Sequence, residues 1–243
     1  MSASHDAQLA LACLDYTRLN ELDSEQDIHA FLAQLSASQP RPAAICVYPQ
    51  WLEYVRKYVD THFNWPLALA TVTNFPSGSQ PLEQVLAQTQ EALSQGANEV
   101  DLVLPYKALI DGDEALALRY VQESKALCAN NAKLKVIIES GELPLDLVAK
   151  AARIAIKGGA DFVKTSTGKV PVNATLEAVE VILDEIQLSG KAVGVKVSGG
   201  VKTLAQAQQY LQLAVAKMGG AWVTPVNFRF GASALLDELY AAI

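Results

Sequence analysis

The sequence has few of the residue types from which metal centres and disulfide frameworks are built. Its three cysteines lie far apart, and none of its three histidines has a second histidine or a carboxylate at the spacing of a metal-binding helix. We therefore expect no metal site, reduced and mostly buried thiols, and histidines on the surface. These residues are Cys13, Cys46, Cys128, His5, His29 and His62.

Basic charge and long apolar runs are also scarce. The 19 Lys and Arg residues are outnumbered by 26 Asp and Glu residues, and the net charge of -7 argues against nucleic acid or an anionic membrane as a partner. No apolar run is long enough to cross a bilayer, and no basic region precedes an apolar segment at the amino end. We expect a cytoplasmic protein that acts on small molecules.

Short runs rich in β-branched residues recur at even intervals, with helical segments between them. Strand and helix in alternation are typical of parallel strands joined by crossovers. The predicted strands are residues 9–15, 43–49, 67–75, 99–105, 134–140, 161–167, 192–198 and 221–225. The predicted helices include residues 81–94, 114–129, 145–157, 175–188 and 203–216.

About eight such units in 243 residues predict a (β/α)8 TIM barrel of the α/β class, formed as a single domain by residues 1–243. The phrase G-A-N-E-V-D at Gly96 returns at Gly158 as G-G-A-D-F-V-K, which indicates a repeated unit of helix end, turn and buried strand. A doubly wound sheet is less favoured, because no glycine-rich dinucleotide loop follows the first predicted strand. We expect no cofactor.

Two lysines stand inside runs that predict buried strands: Lys164 in D-F-V-K-T-S-T and Lys196 in V-G-V-K-V-S-G-G. A buried ammonium is costly unless it is paired or deprotonated. A nucleophilic lysine needs its pKa lowered by roughly 3 units, or about 4 kcal/mol, and burial beside a second ammonium supplies such a shift. We predict that Lys196 is the ammonium that lowers the pKa of Lys164.

Polar residues late in the predicted strands are the other candidates, because barrel active sites form at the carboxyl ends of the strands. Side chains alternate along a strand, so Lys164 shares a face with Ser166, and Lys196 shares one with Ser198. We expect these side chains to point into one mouth. The late-strand residues are Asp15, Thr73, Asp101, Glu139, Lys164, Ser166, Lys196 and Ser198.

A purely structural explanation of the same residues stays open. Two strand lysines and several carboxylates also fit a buried ion-pair network that holds barrel strands in register. The residue types alone do not separate a network of this kind from a reactive amine.

Glycines after the late strands predict an anion site. One pair follows the strand of Lys196, and another glycine opens the last helical segment, where backbone N–H groups can meet phosphate oxygens at a helix N-terminus. Barrels commonly bind phosphate after their seventh and eighth strands. Each glycine also fits a plain turn. The predicted phosphate-binding residues are Gly168, Lys169, Gly199, Gly200, Gly231 and Ser233.

Several motifs in order resemble the deoxyribose-phosphate aldolase family. They are T-V-T-N-F-P at 71–76, E-V-D-L-V-L-P-Y at 99–106, K-V-I-I-E-S-G-E-L at 135–143, D-F-V-K-T-S-T-G-K-V at 161–170, V-K-V-S-G-G-V at 195–201 and R-F-G-A-S at 229–233. The resemblance runs from about Leu14 to the last helical segment. It implies a metal-free barrel enzyme that forms a lysine Schiff base and reversibly cleaves 2-deoxy-D-ribose 5-phosphate to acetaldehyde and D-glyceraldehyde 3-phosphate.

The resemblance also implies roles for individual residues. Lys164 stands at the position of the Schiff-base lysine, and Lys196 and Asp101 stand at the positions that shuttle protons and tune its pKa. Asp15 and Glu139 occupy further active-site positions, where we expect them to orient water and substrate hydroxyls. The six predicted phosphate-binding residues fall on the family's phosphate positions.

Two departures from the family pattern affect the phosphate end. Many relatives read G-A-S-S where this chain has Ala234 after Ser233, so one hydroxyl is missing and phosphate affinity falls by about 1 kcal/mol if one hydrogen bond is lost. Longer relatives continue into a mobile tail, whereas this sequence ends at Ile243, so no tail residue is carried over.

Other functions remain open at this stage. Another Schiff-base barrel, such as a transaldolase-like enzyme or a ketose-phosphate aldolase, would use the same lysine with a different donor. A non-catalytic barrel that binds sugar phosphates would use the lysines structurally. Aromatic residues such as Trp51 fit either a homodimer face or ordinary packing.

Overall fold

Eight parallel strands close into a barrel within the residues that the computed structural model describes, which are 3–35, 39–64, 66–129 and 131–243. Each strand pairs with its neighbours in chain order, and β1 pairs with β8. The predicted (β/α)8 barrel is therefore confirmed. The strands are β1 (Leu14–Arg18), β2 (Ala44–Val47), β3 (Ala68–Thr73), β4 (Glu99–Val103), β5 (Lys133–Ile137), β6 (Phe162–Lys164), β7 (Gly194–Ser198) and β8 (Phe228–Ala232).

Helices follow the strands and cover the outside of the barrel. Thr175 and Thr203 begin two of them, since each hydroxyl accepts a hydrogen bond from the backbone N–H three residues later. None of the described helices is long and apolar enough to span a membrane. The helices are α1 (Ala3–Ala12), α2 (Glu25–Leu32), α3 (Leu52–His62), α4 (Leu82–Ser94), α5 (Tyr106–Ile110), α6 (Glu114–Cys128), α7 (Leu145–Lys157), α8 (Leu176–Ser189), α9 (Leu204–Met218) and α10 (Leu235–Ala242).

The predictions for the first and last strands were wrong. Residues 9–12 belong to α1, and the strand begins only at Leu14, because the Ala- and Leu-rich run suits a buried helix as well as a strand. Residues 221–225 form the end of a short 3-10 helix and a turn, and β8 is the later segment Phe228–Ala232. Gly231 therefore lies within β8, one residue before its end, and the last helix begins at Leu235 rather than at the glycine.

The predicted burial of the cysteines and the predicted exposure of the histidines are confirmed. All three cysteines are free and buried, and all three histidines are exposed. Most of the apolar core lies between the strands and the helices. A second, small apolar cluster lies inside the barrel on β2 and β3, where Ala44, Cys46, Ala70 and Val72 are buried together.

Candidate active site

Seven buried charged side chains meet inside the barrel, and we call them the buried charge network. They come from β1 and from β4 to β8, opposite the small apolar cluster of β2 and β3, and none is more than 4% exposed. Inward-pointing positions in these strands carry charge where most barrels carry branched apolar residues. The members are Asp15, Glu99, Asp101, Lys135, Lys164, Lys196 and Arg229.

Asp101 is the centre of the network. Its Oδ2 lies 2.7 Å from Lys164 Nζ and 2.8 Å from Lys196 Nζ. Its Oδ1 lies 2.9 Å from Lys135 Nζ. The closed barrel makes this possible, because β6 and β7 are neighbours with Lys164 aligned to Lys196. One carboxylate therefore contacts three lysines.

Asp15 links the centre to the amino end of the barrel. Its Oδ2 lies 2.6 Å from Lys196 Nζ and 3.0 Å from Lys135 Nζ, while its Oδ1 accepts a 2.5 Å hydrogen bond from Arg229 Nη1. Glu99 lies beyond them, with one oxygen 2.6 Å from Lys135 Nζ and the other 3.1 Å from Arg229 Nη2. The contacts are continuous from Lys164 to Glu99.

Lys164 differs from the other two lysines in its charge partners. Within the described residues it pairs with the carboxylate of Asp101 only, whereas Lys196 pairs with two carboxylates and Lys135 with three. Burial lowers the pKa of Lys164, and the ammonium of Lys196 lowers it further against the opposing effect of Asp101. Lys164 is therefore the lysine that most readily becomes a neutral amine.

Two lysines and two aspartates of the network hold one another in their charged forms. Burial alone would lower the pKa of Lys196 and of Lys135, but the surrounding carboxylates outweigh it and raise both pKa values. Burial alone would likewise raise the pKa of Asp15 and of Asp101, but the adjacent cations outweigh it and hold both pKa values well below the usual range. Because these groups titrate together, the site behaves as one unit.

Glu139 lies just after β5 and contacts the loop that follows β6. It has a left-handed backbone conformation with φ of 53°, and its Oε1 accepts hydrogen bonds from Ser166 Oγ at 2.6 Å and from Thr167 N at 3.0 Å. Its Oε2 accepts from Thr167 Oγ1 at 2.6 Å. These contacts fix the loop that carries Gly168 and Lys169.

All six predicted phosphate-binding residues line one cavity of about 240 Å³ at the carboxyl ends of β6, β7 and β8. Gly199 and Gly200 have φ angles of 82° and 85°, a left-handed conformation that favours glycine. A Cβ on Gly231 would lie 2.9 Å from Lys196 Cε, so the cavity adjoins the charge network. Ala234 also lines it, at the position where the sequence lacks a hydroxyl.

Lys169 reaches across this cavity. Its Nζ donates a 2.6 Å hydrogen bond to the carbonyl oxygen of Leu19, in the loop after β1. Thr17 from the end of β1 lines the same space. The cation of Lys169 therefore lies over the cavity together with the backbone of glycines from its own loop, from the loop after β7 and from β8. This arrangement is suited to a phosphate group.

The small apolar cluster inside the barrel forms the opposite wall. Cys46 and Val72 project from β2 and β3, and Tyr48 and Phe75 pack beside them with ring centroids 5.8 Å apart. Burial raises the pKa of Cys46, so the thiol is neutral. This wall presents a small apolar surface beside the lysines.

Sequence reasoning missed three members of the network. Lys135 lay in a predicted strand without a predicted role, and it is the third residue of β5, aligned with Asp101. Glu99 lay in the predicted strand of Asp101 without a predicted role, and Arg229 lay in a segment not predicted as a strand. The alternation of side chains along the predicted strands places Glu99 on the same face as Asp101, and Lys135 on the same face as Glu139. The contacts of Glu99 and Lys135 with the other charged residues depend on the strand register.

Four of the late-strand residues do not join the network. Glu139 contacts the loop after β6, and Ser198 lines the 240 Å³ cavity. Thr73 is buried on the outward parity of β3, since its neighbours Ala70 and Val72 face the interior. Ser166 lies after β6 and bonds to Glu139 instead. Within the described part of the chain, no three His, Cys, Asp or Glu side chains are grouped so that they could hold a metal ion.

Comparison with known proteins gives a family match and several structural likenesses. The sequence model of the DeoC/LacD family aldolases matches residues 9–240. A structure described as a deoxyribose-phosphate aldolase of Toxoplasma gondii ME49 is 24% identical, with a TM-score of 0.89 over 99% of this chain and 96% of that one. A deoxyribose phosphate aldolase of Aeropyrum pernix, described as tetrameric, is 23% identical, with a TM-score of 0.77 over 100% and 94%. These likenesses concern the fold of the whole barrel.

Proposed function

This chain belongs to the DeoC/LacD family of aldolases, and from this membership and the geometry of the site we propose that it reversibly cleaves 2-deoxy-D-ribose 5-phosphate. The products are acetaldehyde and D-glyceraldehyde 3-phosphate, and the reaction proceeds through a Schiff base on Lys164. The observation that carries the proposal is the position of Lys164: fully buried, paired with one carboxylate, and beside a second ammonium.

Lys164 is the nucleophile in this reaction. In the synthetic direction its neutral amine adds to the carbonyl carbon of acetaldehyde, and loss of water from the carbinolamine gives an iminium ion. The positive nitrogen acidifies the adjacent methyl group, so that loss of a proton leaves an enamine. The small apolar wall of β2 and β3 is a suitable surface for a two-carbon donor.

The enamine carbon then attacks the aldehyde of glyceraldehyde 3-phosphate, and hydrolysis of the new iminium releases the product. Asp101 is the group best placed to accept and return protons, because its Oδ2 contacts both Lys164 and Lys196. Lys196 stabilises the negative charge of Asp101 and keeps the neighbouring amine neutral. Asp15 supports Lys196 through its 2.6 Å contact.

The phosphate of the acceptor lies, in this proposal, in the 240 Å³ cavity beside Lys196. Glycine backbone and the ammonium of Lys169 supply donors, and Glu139 acts by positioning the loop that carries Gly168 and Lys169. This assigns Glu139 a positioning role in place of the contact with substrate hydroxyls expected from the sequence. Ala234 lines the cavity without adding a hydroxyl donor.

Reductive trapping tests the proposal directly. Incubation with acetaldehyde and borohydride should add one ethyl group to the protein, and peptide mass analysis should locate it on Lys164. Dihydroxyacetone phosphate in place of acetaldehyde is the control donor, and a ketose-phosphate aldolase would give the adduct with that donor instead. A protein that binds sugar phosphate but yields no adduct with either donor would contradict the proposal.

Replacement of Lys196 by leucine should shift the pH dependence of turnover to higher pH. Removing this ammonium raises the pKa of Lys164, so that a larger fraction of the amine is protonated at neutral pH and imine formation slows. The measurement is kcat/KM against pH, with Lys157→Leu on the exposed face of α7 as the control for loss of one positive charge. An unchanged profile for Lys196→Leu would contradict its tuning role.

Two expectations about cellular context stay predictions. We predict that the enzyme is cytoplasmic. We also predict that two copies of the chain can form a homodimer through aromatic residues. Trp51 is half-buried and packs against the core beside Tyr54. Sedimentation of the purified protein would measure its assembly.

A further inference from the structure

The amino end of the buried charge network is closed by Arg229 and Glu99. Arg229 is the second residue of β8 and Glu99 is the first residue of β4, whereas Lys164 is the last residue of β6. Both line a cavity of about 530 Å³ at the amino ends of the strands, separate from the phosphate cavity. Neither has a place in the reaction described above.

Arg229 is held firmly at this end. In addition to its contacts with Asp15 and Glu99, its Nε donates a 2.5 Å hydrogen bond to the carbonyl oxygen of Pro225. Its guanidinium lies 5.4 Å from the ring centroid of Phe162. Because an arginine does not lose its proton in proteins, it contributes a permanent positive charge to the network.

The charges of the network do not balance when every member is ionised. Its cations, three lysines and one arginine, outnumber its three carboxylates by one. An uncompensated charge in a buried site is strongly unfavourable, so the network gains stability when one ammonium loses its proton. Lys164 is the lysine with the fewest carboxylate partners and is the group that loses it at the lowest cost.

Other titratable groups around the network do not alter this count. The thiols of Cys46 on β2 and Cys13 before β1 are neutral, because burial raises the pKa of each and brings that of Cys13 to about 12. Glu139 is hydrogen-bonded to the loop after β6 instead of to a lysine. Lys133 lies 4.0 Å from Glu99 but is 40% exposed, so solvent screens most of its charge.

We propose that Arg229 and Glu99 are positioning residues that act on the reaction from the opposite end of the barrel. Because the positive charge of Arg229 is permanent, the network reaches charge balance only when one of its lysines loses a proton. The negative charge of Glu99 keeps the excess of positive charge at one, so that only one proton is released. The inference rests on the proposed function of Lys164 as the reactive amine. It assigns to β8 a role in preparing the nucleophile in addition to lining the phosphate cavity.

Charge counting predicts effects of opposite sign for the two residues. In Arg229→Gln the network balances with Lys164 protonated, so the pKa of Lys164 should rise by about one to two units. Coulomb's law gives a shift of this size for one charge at roughly 6–12 Å and an effective dielectric constant near 20. In Glu99→Gln the excess of positive charge increases, so the pKa should fall by a similar amount. The double variant restores the wild-type excess of one, and its pKa should return close to the wild-type value.

The measurement is the pH dependence of carbamylation of Lys164 by cyanate, a small reagent that reacts with neutral amines. Peptide mass analysis gives the extent of reaction, with the exposed Lys157 of the same sample as internal reference. Lys57→Met, on the exposed face of α3, is the control for loss of one positive charge from the chain. Cyanate labelling needs no aldolase substrate, so its result is independent of reductive trapping with acetaldehyde.

Shifts of opposite sign that cancel in the double variant would support the proposal. Shifts of the same sign, or a double variant that departs further from the wild type than either single variant, would overturn it and indicate a structural role only. If Arg229→Gln does not fold, Lys133→Met provides the milder test, since its ammonium contacts Glu99 from solvent. It should raise the pKa of Lys164 by a few tenths of a unit relative to Lys57→Met, and an equal pKa in these two variants would also overturn the proposal.

Discussion

Replacement of Lys164 by methionine is expected to lower kcat/KM by at least about a thousandfold and to leave the folded protein as stable as the wild type. Methionine is close to lysine in length but has no amine to form the imine. The three cations that remain in the network balance its three carboxylates, so the substitution leaves no buried charge unpaired. The measurements are steady-state turnover and unfolding in urea.

The effect of this substitution on stability distinguishes a catalytic role of Lys164 from a structural one. If Lys164 were a structural member of an ion-pair network, its removal would leave Asp101 undercompensated and destabilise the protein by about 3–5 kcal/mol. Lys157→Met, on the outer face of α7, is the matched control and should change neither quantity. Turnover within tenfold of the wild type, or a loss of stability in that range, would contradict the assignment of Lys164.

Replacement of Asp101 by asparagine is expected to lower the free energy of unfolding by about 3–5 kcal/mol. The carboxylate contacts three buried lysines at 2.7 to 2.9 Å, and the amide keeps its shape but not its charge. Turnover should fall as well, because Asp101 is the proposed proton acceptor. Equilibrium unfolding in urea measures the first effect, and aldol cleavage measures the second.

The stability difference between the wild type and Asp101→Asn should depend on pH in one direction. Because the pKa of Asp101 in the folded protein is well below its unfolded value of about 3.9, its contribution is fully present above that value. As the pH falls towards the folded pKa, the contribution is lost. The difference should therefore be constant between neutral pH and about pH 5 and should narrow below pH 4.

An exposed ion pair provides the control for this variant. Glu123 lies 2.6 Å from Arg119 on the surface of α6, and Glu123→Gln makes the same chemical change in a pair that solvent screens. It should not measurably change stability at any pH. A destabilisation of Asp101→Asn that is equally small would show that the buried carboxylate is not the centre of the network.

Much of the barrel could be predicted from the sequence because the strands between the first and the last have distinctive local patterns. The strands of Lys164 and Lys196, and the helices α6 and α7, lie within a few residues of their predicted bounds. The two errors concern the first and last strands, where the barrel closes. Residues 9–12 suit a helix or a strand equally well, and only pairing of β1 with β8 decides which segments form the closure.

The sequence also indicated that Lys164 and Lys196 have a special role, because an ammonium in an apolar run requires compensation. It did not indicate Lys135 or Arg229 as their companions. Lys135 contacts Asp101 because β4 and β5 align these two residues, and Arg229 reaches Glu99 across the barrel interior. Contacts of this kind depend on strand register and barrel curvature, which local pattern does not encode.

By itself, the sequence determined the alternation of strands and helices, the burial of two lysines, and the glycines that bend the loops after the late strands. These properties follow from local periodicity, from the cost of burying an ammonium, and from backbone sterics. The tertiary structure alone decided which lysine has the fewest carboxylate partners and how many charges share the buried space. Electrostatic balance depends on distances in three dimensions, so the number of charges that share the buried space can be counted only after the barrel has closed.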